Sequence, residues 1–102
     1  MTDELRQLCM KAEGLRVRLI SVQNGRYVHE ACSIANILCN AVPNLEYGCE
    51  VVNDLENGRK DAKKKHNWTL NEAKSYVKHV EKMLRAGIDR AIKFLNSVEA
   101  EQ

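Results

Sequence analysis

Apolar residues recur at alternating spacings of three and four along three stretches of this chain, and that repeat leaves few folds open. The first stretch is Leu5, Leu8, Ala12, Leu15, Leu19, Val22, and the second is Val28, Ala31, Ala35, Leu38, Val42. The third is Ala73, Val77, Val80, Leu84, Gly87, Ala91, Phe94, Val98. A mean step of about 3.5 residues keeps one stripe of a helix against a partner helix, as in bundles and coiled coils. The expected fold is all-α, an antiparallel helical bundle with heptad-like seams forming a single domain over residues 1–102. Composition agrees with this. Aromatic residues make up only 5%, so the core must be Leu, Val, Ile and Ala, which suits helical seams better than a β-sandwich.

A net charge of +2 does not by itself mark a nucleic-acid binder. The opening MTDELRQ has neither a long apolar run nor a small-residue cleavage site, so no signal peptide is expected. No stretch approaches the roughly 20 apolar residues of a membrane span. A soluble, cytoplasmic protein without a membrane partner is the expectation. Cys9, Cys32, Cys39 and Cys49 then read as buried, reduced thiols acting as small hydrophobes.

Local signals divide the chain into four helices, the third of them short. Thr2, Asp3 and Glu4 make a helix start, and the first helix should run from about Asp3 to Gln23, stopped by Asn24-Gly25. The second covers roughly Arg26 to Ala41 and ends at Pro43-Asn44. Apolar residues nearly encircle it, which suggests a central helix covered on at least two sides. The third spans Leu45 to Leu55, weakened by Gly48 and closed by Asn57-Gly58. Thr69-Leu70-Asn71-Glu72 fits a capping box, with Trp68 placed to pack on the first turn of a fourth helix ending near Val98. That helix would be about 43 Å long against about 31 Å for the first. Its seam outruns its neighbours, so Leu84, Ala91, Phe94 and Val98 are expected to meet a second copy of the chain.

The most conspicuous polar feature is Arg59-Lys60-Asp61-Ala62-Lys63-Lys64-Lys65-His66, followed by Trp68. Clustered cations neutralise phosphates and a nearby Trp can stack on a base. Lys78 and Lys82, with Lys74 and Arg85, extend the basic character along one face of the fourth helix. The candidate binding set is thus Arg59, Lys60, Lys63, Lys64, Lys65, Trp68, Lys78 and Lys82, for an anionic ligand, a nucleotide or nucleic acid. The bland alternative is a solvated loop beside a soluble helix face. Arg59 and His66, six residues apart, resemble the R-x4–6-H signature of the HEPN family, small all-helical dimers that include ribonucleases. The resemblance covers this octapeptide and the fold class, and it implies ribonuclease activity through Arg59 and His66. Lys60 departs from it, since that family usually has an uncharged polar or acidic residue there.

Other chemistry is not signalled. His29-x2-Cys32 has no second short-spaced pair to complete a zinc site. Glu46, Glu50 and Asp54 read as a solvated acidic stripe, because the fourth helix offers mostly Lys rather than a second set of carboxylates. Phosphate-binding loops, nucleophile elbows, zinc-protease and di-iron spacings are absent from the sequence. No catalytic residue, metal or cofactor is expected. The reading is a small non-enzymatic interaction protein that associates with itself and with a larger protein partner as adaptor, regulator or inhibitor. Nucleic-acid or nucleotide binding through residues 59–66 is the alternative.

Overall fold

Pro43 does not end a helix. In the computed structural model, which describes residues 1–58 and 67–100, the expected second and third helices are one. Three helices result instead of four: α1 (Asp3–Ile20), α2 (Val28–Glu56) and α3 (Leu70–Ala100). The described residues contain no strand.

The local penalty of a proline inside a helix is about 3 kcal/mol, from a lost N–H donor and a clash with the carbonyl four residues back. Packing outweighs it here. Ala31, Ile34, Leu38, Ala41, Leu45 and Gly48 step three, four, three, four, three along α2, and all are buried, so the inner stripe crosses Pro43 without a break. Stopping at residue 43 would forfeit the burial of Leu45 and Val51, both 0% exposed. Each fully buried side chain of this size contributes roughly 1.5–3 kcal/mol. Pro43 and Cys39 both face solvent, so the unpaired Cys39 carbonyl lies on the wet side of the helix.

Caps explain most boundaries. Thr2 Oγ1 accepts the Leu5 amide at 3.2 Å and starts α1 where expected. α1 stops at Ile20 rather than Gln23, with Ser21 Oγ donating to the Val17 carbonyl at 2.8 Å. Asn24 then turns the chain. Its side-chain oxygen accepts the Arg26 amide at 3.1 Å, and its carbonyl accepts the Tyr27 and Val28 amides at 2.9 and 3.1 Å. α2 consequently begins at Val28 instead of Arg26. It ends as expected at Asn57-Gly58, with Gly58 in the left-handed region at φ 64°. Thr69 Oγ1 accepts the Glu72 amide at 3.2 Å and caps α3.

Ion pairs reveal the arrangement. Glu4 meets Arg85 at 2.9 Å and Arg18 meets Glu99, so α1 and α3 lie side by side and parallel. Glu30 with Arg90 and Glu56 with Lys74 set α2 antiparallel to α3. Each helix touches the other two. The core is aliphatic and continuous, with Ala12, Leu15, Leu19, Ile34, Leu38, Leu84 and Ala91 among its buried members. All eight residues of the third sequence seam are buried or half-buried.

That seam is an intrachain one. Leu84, Ala91, Phe94 and Val98, expected to meet a second copy, are 0, 0, 8 and 4% exposed within a single chain. The reason is that α1 lies beside residues 85–99 of α3 and covers the end that was expected to be bare. The uncovered part is the opposite end, where α2 and α3 continue past the start of α1.

Two glycines separate local from tertiary roles. A Cβ on Gly48 would stand 3.0 Å from Tyr76 Cδ1 and from Val77 Cγ2, whereas one on Gly14 would meet nothing within 4 Å. Gly14→Ala should therefore stabilise by about 0.5–1 kcal/mol through helix propensity, and Gly48→Ala should destabilise despite the same propensity gain. Urea titration of both variants checks this pair. Pro43→Ala restores a helical hydrogen bond and should raise stability by about 1–2 kcal/mol, after allowing for the freer unfolded chain. Thermal melting by circular dichroism should show a rise of roughly 5–10 °C; a fall would mean that the packing of α2 requires the proline.

Candidate functional site

Arg59, Lys60, Lys63, Lys64, Lys65 and His66 lie outside the described residues, and with them the basic cluster and the Arg59–His66 pair. The remaining members of the candidate set are placed. Lys78 and Lys82 are exposed on α3. Their neighbours on that face are ion-paired, Lys74 to Glu56 at 3.5 Å and Arg85 to Glu4 at 2.9 Å and to Glu81 at 3.5 Å. Acids thus interrupt the basic stripe that the lysine spacing suggests.

Trp68 packs on the chain's own aromatics. Its ring meets Tyr76 edge-on at 4.9 Å between centroids and Tyr47 at 6.4 Å. Tyr76 in turn lies where Gly48 leaves room for it. Trp68, Tyr76 and Tyr47 therefore tie the start of α3 to the C-terminal half of α2, each edge contact adding roughly 0.5–1.5 kcal/mol beyond area burial. This matches the expected staple in kind but not in partner, because Trp68 reaches Tyr76 and α2 instead of the first turn. Tyr27 is likewise engaged, with Phe94 at 6.1 Å.

An open groove lies at the end that α1 leaves uncovered. Met1 and Leu5 close one end, Cys49 and Val52 come from α2, and Val77 comes from α3. Its volume is about 510 Å³, with Glu56, Lys74 and Lys78 on the rim. The floor is apolar, so the groove suits a hydrophobic side chain of a partner better than a phosphate. Sequence reasoning missed it because breaking α2 at Pro43 hid how far α2 and α3 outrun α1.

The thiols divide into two classes. Cys32 and Cys39, expected to be buried, are exposed on the outward side of α2; Cys9 and Cys49 are partly buried, and all four are free. The expectation failed for Cys32 and Cys39 because α2 turns Ala31, Ile34, Ala35 and Leu38 inward, leaving these two on the far side. Burial raises the Cys9 thiol above its ordinary value, with Glu46 and Cys49 nearby adding to the rise. Burial also raises Cys49, partly offset by the Met1 ammonium and reinforced by Glu81. The acidic stripe splits as well. Glu46 and Glu50 are exposed, whereas Asp54 is 3% exposed. No three His, Cys, Asp or Glu converge among the described residues in a way that could hold a metal ion. No described helix is long and apolar enough to cross a membrane.

Compared with family models, curated proteins and solved structures, the chain shows no significant match.

Under native conditions at neutral pH, a thiol reagent should modify Cys32 and Cys39 quickly and Cys9 and Cys49 slowly. Raised thiol pKa values leave less thiolate on Cys9 and Cys49 at pH 7, so their labelling should accelerate as pH rises toward 9. Peptide mass mapping of a time course resolves the two classes. Rapid labelling of Cys9 would show that α1 is not seated on α2 as described.

Proposed function

We propose that this chain is a small non-enzymatic helical interaction protein that associates with itself, most simply as a dimer, and acts by engaging a larger protein partner. The observation that carries this reading is a set of apolar side chains left uncovered by the chain's own helices. Met10, Val17, Ile20 and Val28 are 74, 47, 56 and 36% exposed. Tyr47 on α2 and Met83 on α3 are exposed as well, at 47 and 49%. Met10, Val17 and Ile20 stand seven and three apart on the outward side of α1, opposite Ala12, Leu15 and Leu19, and Val28 opens α2 beside the end of α1. Exposed apolar side chains of this size are stabilised by a protein surface rather than by water. The groove at the opposite end gives a larger partner a separate place to dock. An adaptor, regulator or inhibitor needs only such surfaces.

The decisive measurement is solution mass by light scattering between about 10 and 100 µM, the range in which a modest dimer would be populated. A mass near twice the 11.6 kDa chain is expected. The ratio of absorbance at 260 to 280 nm should be that of protein alone. A monomer over the whole range overturns self-association, and a co-purifying nucleic acid would favour the basic cluster at 59–66 as the working part of the chain.

A further inference from the structure

Helix α2 carries a second heptad-like stripe on its outward side. His29, Cys32, Asn36, Cys39, Pro43, Glu46 and Glu50 step three, four, three, four, three, four, and all are exposed. The inner stripe from Ala31 to Gly48 has the same spacing and is fully used by α1 and α3. Between Ala31 and Leu45 the sequence holds no Asp, Glu, Lys or Arg, in a chain that is 29% charged. Helix faces turned only to water are elsewhere charged in this molecule, as with Lys82, Asp89 and Lys93 on α3. Depletion of charge over a continuous exposed strip is the mark of an interface centre.

The ends of the strip say what covers it. Arg26 and His29 stand at its N-terminal end, and Glu46 and Glu50 at its C-terminal end. Glu46, Glu50 and His29 form no ion pair among the described residues, whereas Glu4, Glu13, Glu30, Glu56 and Glu99 all do. Such a strip is complementary to itself when reversed. We infer that the outward face of α2 is a self-association surface, on which a second copy of the chain packs its own α2 antiparallel, with Arg26 and His29 of each copy beside Glu50 and Glu46 of the other. The two-fold axis then passes between Asn36 and Cys39, because the pairs 26 with 50 and 29 with 46 are both centred near residue 38, and it leaves the two Cys39 thiols close together and the two Cys32 thiols far apart. The helix dipoles favour the same direction, positive N-terminus against negative C-terminus. From His29 to Glu50 the strip is about 33 Å long. At a helix width of about 10 Å it offers on the order of 330 Å², so the adjoining face of α1 must supply the rest of the roughly 800 Å² per partner of a stable complex. Val17, Ile20 and Val28 widen it at the end where α1 turns into α2.

This surface rests on the self-association proposed above, and its test separates the two. A short bismaleimide added to the wild-type protein should link two chains through Cys39; Cys39→Ser should abolish the product and Cys32→Ser should leave it. The paired variant Glu46→Lys, Glu50→Lys should raise the dimer dissociation constant about tenfold or more, as should Arg26→Glu, His29→Glu. Because each copy supplies both ends, combining all four changes in one chain should restore the dimer to within about threefold of wild type. Circular dichroism should report folded protein throughout, since all four positions are exposed. A wild-type monomer overturns both proposals. A wild-type dimer that neither links through Cys39 nor shows the charge-swap rescue overturns this surface alone and leaves self-association standing elsewhere on the chain.

Discussion

Close approach of α2 to α3 along small residues is the contact from which the rest of the structure follows. Gly48 lets Tyr76 and Val77 sit on α2, and a Cβ on Gly87 would stand 3.2 Å from Leu38 Cδ2. Small residues at the crossing bring large aliphatics on either side into contact, so Leu38, Leu45 and Leu84 are 0% exposed. This antiparallel pair is long, 29 and 31 residues, and α1 with 18 residues lies along only part of it. Continuity of α2 through Pro43 is what gives the pair its length.

Two surfaces follow from that mismatch and from the limited number of inward positions on α2. Where α1 begins, the pair runs on and leaves the groove floored by Leu5, Cys49, Val52 and Val77. On the outer side of α2, along the edge of α1, a strip remains that carries no charged residue between Ala31 and Leu45. A three-helix bundle gives each helix two neighbours, so a helix with apolar or neutral residues on most sides keeps one side unmatched. The apolar encirclement noted in α2 was a sign of that third side, not of a fully central helix. Charge pairs seal the other seams instead, with Glu4–Arg85 and Arg18–Glu99 between α1 and α3 and Glu30–Arg90 between α2 and α3. Exposed pairs of this kind contribute little to stability, but like charges would be unfavourable in another register, so they favour this one.

Legibility in the sequence varied with the range of the interaction. The seams Leu5–Val22 and Ala73–Val98 were read correctly as buried stripes, because periodicity reports a helix face directly. Thr2, Thr69 and Asn57-Gly58 marked helix ends correctly, since caps involve atoms only two to four residues apart. Of the candidate binding residues, Trp68 proved to be held by Tyr76 and Tyr47, a contact no spacing rule contains because Tyr47 belongs to the preceding helix. Cys32 and Cys39 were placed on the wrong side of α2 for a related reason: nearby Ile34, Ala35 and Leu38 take the inward positions, and a thiol is small enough to be left outside.

By itself, then, the sequence determined that the chain is helical, where most helices begin and end, and which stripe of α1 and α3 turns inward. Those are properties of hydrogen bonds and side chains within one or two turns. Tertiary structure alone decided that α2 continues through Pro43, because a local penalty of about 3 kcal/mol is outweighed only when Leu45, Gly48 and Val51 have α3 to pack against. It also decided which end of α3 stays bare, since that depends on where α1 lies beside it. Finally, the inward stripe of α2 was legible only in part: Ala31, Ala35, Leu38 and Val42 are buried or half-buried as their spacing indicates, whereas Val28 is exposed and Cys32 and Cys39 lie outward, because turning Ile34, Leu38 and Leu45 inward removes more apolar area from water.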